Sequence, residues 1–207
     1  MKDQQTLVLT SYWRGIMTQH TDLQQEIVDS AVKLASATSW ESLRLVEIAA
    51  DLNISLADMY GCFAEKEQIS DAWFDRADLN MLNSIQSSIF PTLNNQQKFH
   101  HLLMAWLEPL ALNQRVTRQM IVNKLEPGHL HIQVPALLRI SRTVQWLREA
   151  SAQHSTLPWR AVDETVLTGI CLLTFCSWLT DNSPQFNRTR RILDKQLMMA
   201  KTLRFLK

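Results

Sequence analysis

Apolar residues recur at helical spacing from about residue 22 towards the end of the chain. The first such run predicts a helix near 22–37, whose apolar face consists of Leu23, Ile27, Ala31, Leu34 and Ala35. Alternation of polar with apolar residues, which is typical of strands, is scarce. Glycine is also scarce, at four residues, and all six prolines lie at or after Pro91. The pattern therefore predicts an all-α protein of about nine helices.

Two short helices follow the first one and are separated by a tight turn. They are predicted at 43–52 and 55–62, and the turn is Asn53-Ile54-Ser55. Asn tolerates the left-handed backbone conformation that such a turn requires, and Ser55 is suited to cap the helix that follows. A longer helix followed by two short helices across this turn is the layout of a helix-turn-helix.

Further helices are predicted at 66–89, 95–110, 113–125, 135–150, 159–180 and 184–205. Phe90-Pro91 ends the first of these, Pro135 suits a first helical position, and Ser183-Pro184 caps and starts the last one. The run Val166–Leu179 is apolar nearly all round but short of the roughly 20 residues that span a bilayer. We therefore expect no transmembrane segment, and a buried helix that is covered on both sides.

The helix-turn-helix resembles the signature of the TetR family over roughly residues 22–78. The matching residues are Val46-Glu47-Ile48-Ala49, Asn53-Ile54-Ser55, Tyr60, Phe63 and Lys66-Glu67. The resemblance implies a helix-turn-helix domain at 21–65 and a C-terminal helical domain for ligand binding and dimerisation at 66–207. Residues 1–20 would form an N-terminal arm or an extra helix. It also implies a homodimer that pairs through the last two helices.

The TetR resemblance assigns DNA contacts to the start of the third helix and to two residues beside it. Carried over position by position, these contacts are Arg44, Ser55, Leu56, Ala57, Asp58, Tyr60 and Lys66. Ser55, Tyr60 and Lys66 agree with the family pattern. Asp58 stands where a small hydroxyl residue or Ala is usual, Arg44 replaces a Thr, and Gly61 and Cys62 replace a bulky aromatic residue and a His.

Charge is distributed unevenly along the chain. Residues 1–80 contain six basic and thirteen acidic residues, a net charge of −7, whereas residues 81–207 carry +8. The segment from Trp40 to Ser70 contains two basic and six acidic residues. Neutralisation of phosphates supplies most non-specific affinity for DNA, so this charge is unfavourable for binding it. The basic last helix is either a solvated face or a surface for an anionic partner, such as lipid headgroups or an acidic protein module.

Scattered residues are similar to the TetR-fold accessory proteins of coenzyme Q biosynthesis. These residues are Ser155-Thr156, Trp159, the run 178–186, Thr189 and Leu193-Asp194, together with the acid-rich run 69–78. The resemblance implies a C-terminal domain that binds a lipid or isoprenoid, and a helix-turn-helix that does not act on DNA. The membrane-associating final helix of those proteins has no counterpart up to Lys207.

Large, flexible apolar side chains in the C-terminal part predict a pocket for a small hydrophobic ligand. The candidates are Met104, Trp106, Met120, Trp146, Phe175 and Trp178. The alternative is that these side chains simply fill the core.

No Gly-rich phosphate loop, nucleophile elbow, paired carboxylates or metal-ligand spacing is found, so we expect no enzyme activity, cofactor or metal. Three cysteines and no secretory signal favour the cytoplasm. The sequence therefore predicts a dimeric TetR-like transcriptional regulator that binds duplex DNA and has a hydrophobic effector pocket. The alternative is a lipid- or isoprenoid-binding accessory protein of quinone biosynthesis that does not bind DNA.

Overall fold

A computed structural model of the chain describes residues 21–124, 130–151 and 159–202. The described side chains are those of 21–124, 139–151 and 162–202. Within these ranges the secondary structure consists of nine α-helices and three single 3-10 turns, with no strand. The all-α prediction is therefore confirmed.

The helices are α1 (21–37), α2 (Leu45–Asp51), α3 (Leu56–Cys62), α4 (Lys66–Asn83), α5 (Asn95–Ala111), α6 (Gln114–Lys124), α7 (Leu130–Ala150), α8 (Trp159–Leu179) and α9 (Asn187–Thr202). The 3-10 turns are Ser84–Gln86, Phe90–Thr92 and Pro184–Phe186. The chain divides into two compact units between Trp73 and Phe74, inside α4. We refer to the part up to Trp73 as the small unit and to the part from Phe74 as the large unit.

The small unit is built around the apolar face of α1. Ile27 and Val28 of this helix are fully buried, and Ile48 of α2 and Met59 of α3 are buried with them. The turn between α2 and α3 contains Asn53 at a φ of 53°, as the sequence predicts for an Asn in a tight turn. These buried side chains hold the three helices of the helix-turn-helix together.

The large unit has α5 at its centre. Its core residues on this helix are Phe99, Leu102, Leu103, Leu107 and Leu110. Helix α5 packs against α7 and α9, and α8 packs against α6, α7 and α9. Gln114 and Arg118 of α6 donate hydrogen bonds to the carbonyl oxygens of Trp178 and Leu179, at the end of α8. These bonds satisfy helix-end acceptors that would otherwise lack partners.

Three predicted helix boundaries were wrong. Helix α4 ends at Asn83 rather than near residue 89, because Ser84 Oγ bonds to the carbonyl of Met81 at 2.7 Å and competes with the helix. Helix α7 is already formed at Leu130, so Pro135 lies inside it, where a proline near the first turns removes few hydrogen bonds. The last helix begins at Asn187, since the residues after Pro184 leave the right-handed helical conformation.

Within the single chain helix α8 is covered on one side only, and the expectation that both sides are covered, one of them by a second subunit, stays a prediction. Among the described residues, its segment Val162–Leu179 is long and apolar enough to cross a membrane by length and composition, with a mean hydropathy of 1.4. Only 28% of this segment is buried within the chain. Leu167 and Trp178 lie in the core, whereas Leu173 is 62% exposed. An apolar face of α8 is therefore left uncovered.

Candidate functional site

The exposed face of α3 consists of residues to which the TetR resemblance assigns DNA contacts. Leu56 is 56% exposed and Tyr60 is 72% exposed, with Ala57 and Asp58 exposed beside them. Met59, which points the other way, is buried and anchors the helix. The fold therefore presents two large side chains to solvent on the helix that reads DNA in a helix-turn-helix.

The carboxylate of Asp58 accepts hydrogen bonds at the N-terminus of α3. Ser55 is the N-cap, as predicted, and its hydroxyl accepts a hydrogen bond from the backbone N–H of Asp58 at 3.1 Å. Asp58 Oδ2 accepts in turn from the Ser55 backbone N–H at 3.1 Å and from its hydroxyl at 2.6 Å. These hydrogen bonds hold the pKa of Asp58 below its usual value. The negative charge therefore stays where a helix start would otherwise favour a phosphate.

Lys66 is directed into the small unit rather than into solvent. Its Nζ donates to the backbone carbonyl oxygens of Trp40, Glu41 and Leu43 at 3.0, 3.1 and 3.3 Å. The same ammonium lies 5.7 Å from the ring centroid of Trp40. All three of its donors are thus engaged in holding the segment between α1 and α2.

Arg44 differs from Lys66 in being exposed. It is the N-cap of α2, and its backbone N–H donates to Glu47 Oε2 at 2.9 Å. Lys33 is paired with Asp51 at 2.9 Å, and that contact together with the Ser30 hydroxyl lowers the pKa of Asp51. The described residues of the small unit contain three basic and ten acidic residues, a net charge of −7. Its surface is thus strongly negative around α2 and α3.

Three of the six predicted pocket residues form one aromatic cluster in the large unit. The rings of Trp106 and Phe175 are 5.4 Å apart, and those of Phe175 and Trp178 are 5.8 Å apart. Phe74 stacks on Trp106 at 6.2 Å, and Phe186 lies 5.9 Å from Trp178. These aromatic side chains pack directly against one another.

The other three predicted pocket residues lie in different environments. Met120 is fully buried, Trp146 is 49% exposed, and Met104 lines a separate cavity. The structure thus does not gather all six side chains around one space.

A buried carboxylate network lies beside the aromatic cluster. Asp78 accepts hydrogen bonds from Trp106 Nε1 at 2.7 Å and from the Thr143 hydroxyl at 2.9 Å. Arg139 lies between Asp75 and Asp78, with its Nη2 at 2.9 and 3.5 Å from their carboxylate oxygens. Burial raises the pKa of Asp78 above its usual value in spite of these partners. The network holds α4, α5 and α7 together.

A cavity of about 650 Å³ lies between α5, the residues Ile89 and Leu93 that flank the second 3-10 turn, and the segment from Gln185 to Asp194 at the start of α9. Met104 is the only predicted pocket residue in its lining. Sequence reasoning missed the others, including His100, His101 and Arg190. The available signal was His100-His101, a pair of adjacent histidines directly before the apolar run of α5. Among the described residues, no group of three metal-ligating side chains is found.

One wall of this cavity is a strained segment. Gln185 and Phe186 both have left-handed backbones, with φ values of 52° and 56°. This conformation costs a non-glycine residue about 1–2 kcal/mol. Such residues persist where surrounding contacts over-determine the backbone.

Asp181 bonds to the residues on both sides of the strained segment. Its buried carboxylate accepts from the backbone N–H of Ser183 at 2.9 Å and of Thr189 at 2.8 Å, and from both hydroxyls at 2.6 and 2.7 Å. Burial favours a higher pKa for Asp181, but these four hydrogen bonds outweigh it and lower the pKa to about 2. The carboxylate thus ties the end of α8 to the start of α9.

A helix-turn-helix unit followed by a larger all-α unit defines the class of helix-turn-helix proteins with a separate helical domain. No family model and no curated protein matches the chain. The TetR transcriptional regulator from Nitrosomonas europaea ATCC 19718 is 46% identical to it, with a TM-score of 0.78. That match covers 87% of this chain and 99% of the regulator. The chain therefore belongs to the TetR family of transcriptional regulators.

Two further solved structures share the fold. A TetR transcriptional regulator from Rhodococcus sp. RHA1 matches with a TM-score of 0.62 and 16% identity, over 87% of this chain and 97% of its own. A bacterial regulatory protein in the tetR family from Rhodococcus RHA1 matches with a TM-score of 0.50 and 21% identity, over 88% and 96%. At these identities the two matches support the fold alone.

Proposed function

We propose that this protein is a transcriptional regulator that binds duplex DNA through α3, acts as a homodimer, and responds to a small apolar ligand in its large unit. The observation that carries the proposal is the 46% identity to a TetR transcriptional regulator over 99% of that regulator's chain. The exposed face of α3 agrees with it, because large side chains are held in solvent there by a buried Met59.

The chemistry of the α3 face fits contacts to bases better than contacts to phosphates. Leu56 and Ala57 are suited to pack against thymine methyl groups in the major groove, and Asp58 can accept a hydrogen bond from the amino group of cytosine. Tyr60 can donate its hydroxyl to a phosphate oxygen. Arg44 is the exposed cation next to this face. We therefore expect weak, sequence-dependent affinity with a modest electrostatic contribution.

The uncovered face of α8 supports the proposed homodimer. Val162 and Leu173 on α8 and Met198 and Met199 on α9 are exposed within the single chain. Apolar side chains on two adjacent helices are best covered by the same helices of a second copy, because a two-fold axis pairs identical faces. The proposed interface is a bundle of four helices.

The proposed effector site remains among Met104, Trp106, Met120, Trp146, Phe175 and Trp178. In the described structure the rings of Trp106, Phe175 and Trp178 pack against one another. A ligand that enters this cluster has to separate them, so binding there should change tryptophan fluorescence. Movement of α8 would then carry the signal to the proposed dimer interface.

The test is binding of the whole chain to a random-sequence duplex and to a genomic fragment library across a salt series. Each neutralised phosphate adds about 0.9 to the slope of log K against log salt. From the described residues a dimer gives a slope of about −2 if Arg44 alone contributes, and about −4 if Lys66 contributes as well. Absence of any binding at about 20 mM salt would overturn the proposal, because the electrostatic attraction is largest there.

A pair of variants localises the contact. Tyr60→Ala should lower DNA affinity about tenfold, since it removes an exposed ring and hydroxyl from the reading face. Leu112→Ala is the matched control, because Leu112 is 85% exposed in the large unit. Equal affinities of the two variants for DNA would place the contact elsewhere than on α3.

A second candidate function is a lipid- or isoprenoid-binding accessory protein that does not act on DNA. The observations that favour it are the Asp58 carboxylate at the start of α3, the three hydrogen bonds that occupy Lys66, and the net charge of −7 on the described residues of the small unit. Solvent extraction of the purified protein, followed by mass spectrometry, tests it. A stoichiometric isoprenoid together with no DNA binding would support this candidate over the regulator.

A further inference from the structure

The Asp58 side chain is fixed at one of its two carboxylate oxygens. Oδ2 accepts from the backbone N–H of Ser55 at 3.1 Å and from the Ser55 hydroxyl at 2.6 Å. Neither bond involves Oδ1, and the side chain is exposed on the face of α3. Because the same hydrogen bonds lower the pKa of Asp58, the carboxylate is ionised near pH 7. Oδ1 is thus a negatively charged acceptor in a preorganised position.

The exposed residues that precede Asp58 on α3 are apolar. They are Ala57 and Leu56, and the Leu56 side chain is 56% exposed. The seven residues of this helix, Leu56–Cys62, include no Arg, Lys, Asn or Gln, which are the side chains that bind purine edges. The helix therefore offers a charged acceptor beside an apolar surface. The base edge that complements it has a donor and no acceptor.

Among the four bases, only cytosine meets this requirement in the major groove. Guanine presents two acceptors, adenine a donor beside an acceptor, and thymine an acceptor beside a methyl group. An acceptor that faces Asp58 Oδ1 is repelled by its negative charge. Cytosine presents the N4 amino group as a donor and has no acceptor there. A methyl group on C5 of cytosine adds an apolar surface next to that amino group, which complements Ala57 and Leu56 as well.

Gly61 is an independent observation that favours close approach of a partner to this face. It is exposed one turn after Ala57, and a Cβ atom added to it would meet no atom within 4 Å beyond its chain neighbours and its own helix backbone. Glycine weakens a helix relative to alanine, and packing among the described residues does not require it here. Glycine also allows the backbone to approach a ligand closely. Ala57 and Gly61 therefore leave the middle of the face open to base edges.

We propose that α3 recognises a cytosine in each half-site of its operator through Asp58 Oδ1, and that methylation of this cytosine at C5 strengthens binding. The inference rests on the proposed binding of duplex DNA by this helix. It adds that the affinity of the regulator depends on the modification state of the DNA. The helix-turn-helix fold does not by itself confer this property, because it comes from the side chains of α3.

The first step of the test separates this inference from the proposed function. Duplexes that bind the whole chain are selected from a random library at about 20 mM salt, where electrostatic attraction is largest. If no duplex binds, the proposed function fails and this inference fails with it. If duplexes bind but their half-sites share no cytosine, the proposed function stands and only this inference is overturned.

Versions of the selected duplex then carry a methyl group at one atom of each shared cytosine in turn. 5-Methylcytosine at the recognised position should raise the affinity about threefold, because a methyl group is buried against the helix. N4-methylcytosine should lower it at least about tenfold. Its remaining N4 proton pairs with guanine, so the donor to Asp58 is lost. No gain from C5 methylation, or no loss from N4 methylation, would each overturn the proposal.

A pair of variants assigns the contact to Asp58. In Asp58→Asn the amide oxygen should keep the bonds from Ser55, which places the NH₂ group at the position of Oδ1. This donor favours an acceptor, so the variant should prefer thymine to cytosine there. Glu47→Gln is the matched control, because Glu47 is exposed and accepts from a backbone N–H at the start of α2. It should keep the preference for cytosine. An unchanged preference in Asp58→Asn would overturn the proposal, and the methylated duplexes test the unaltered protein without any variant.

Discussion

The two units use their carboxylates in opposite ways. In the small unit Asp58 and Glu47 are exposed and accept hydrogen bonds from backbone N–H groups at the starts of α3 and α2. In the large unit Asp78 and Asp181 are buried, and each accepts hydrogen bonds from several donors of neighbouring segments. The same residue type thus contributes surface charge in one unit and structure in the other.

This difference separates two consequences of acidity. A charge in water acts on other charged molecules, is screened by salt, and adds little to stability. A buried carboxylate whose hydrogen bonds lower its pKa, as those of Asp181 do, adds to stability above that pKa, and loss of its hydrogen bonds is costly. The acidity of the small unit should therefore change binding to polyanions, whereas the acidity of the large unit should change unfolding.

The largest expected effect is the loss of the Asp181 hydrogen bonds. Asp181→Asn presents an amide NH₂ to donors that need an acceptor, so the free energy of unfolding should fall by about 3 kcal/mol. Urea unfolding followed by circular dichroism measures the change. The control is Asp194→Asn, whose side chain is 64% exposed and should cost about 0.5 kcal/mol or less. If the free energy of unfolding falls equally in the two variants, the buried carboxylate contributes no more to stability than the exposed one.

A pH series should show the same carboxylate titrating. The pKa of Asp181 is about 2 in the folded protein and close to 3.8 when unfolded, so its stabilisation is present above pH 4 and is lost towards pH 2. The unaltered protein should lose about 2 kcal/mol more than Asp181→Asn over that interval. Parallel pH profiles for the two proteins would contradict the role assigned to the carboxylate.

The next effect tests whether Lys66 serves the fold or the proposed DNA contact. Lys66→Met removes the donor for three carbonyl oxygens, so local opening of α2 and α3 should become about 1–2 kcal/mol easier by hydrogen exchange. Lys33→Met, in an exposed pair with Asp51, should cost about 0.5 kcal/mol. If the lysine only supports the fold, the salt slope of DNA binding stays unchanged. A slope reduced by about 0.9 per subunit would show that it contacts phosphate.

The smallest expected effect concerns the surface charge of α3. Asp58→Asn keeps the helix cap, because the amide oxygen can still accept from the Ser55 N–H, but it removes a negative charge from the reading face. We expect affinity for random DNA to rise about threefold at low salt. Asp194→Asn, in the large unit, should leave this affinity unchanged. An equal rise in DNA affinity in both variants would mean that the overall charge of the protein, rather than the position of the charge, determines this affinity.

Features set by local interactions could be predicted from the sequence. The left-handed Asn53 and the Ser55 cap are confirmed, since each depends on residues within one turn. The partners of Lys66 could not be predicted, because its three carbonyl acceptors are more than twenty residues away. The same holds for the cavity at His100, whose lining comes from segments far apart in sequence.

Helix ends were the least predictable part of the fold. Ser183-Pro184 has the residues that begin many helices, yet α9 starts only at Asn187. The cause is the pair of left-handed residues Gln185 and Phe186, a conformation that no propensity of Gln or Phe favours. Similarly, the periodicity of α8 shows an apolar helix but does not show which face the single chain covers.

The left-handed backbone at Gln185 also bears on engineering. Glycine adopts this conformation without a steric penalty, so Gln185→Gly relieves strain that the natural residue carries. The protein is therefore less stable with Gln185 than it would be with a glycine at this position. Such a difference is common where stability is given up for another property. Gln185→Gly should raise the melting temperature and leave the packing of the core intact. It is therefore the natural starting point for a thermostable form of this protein.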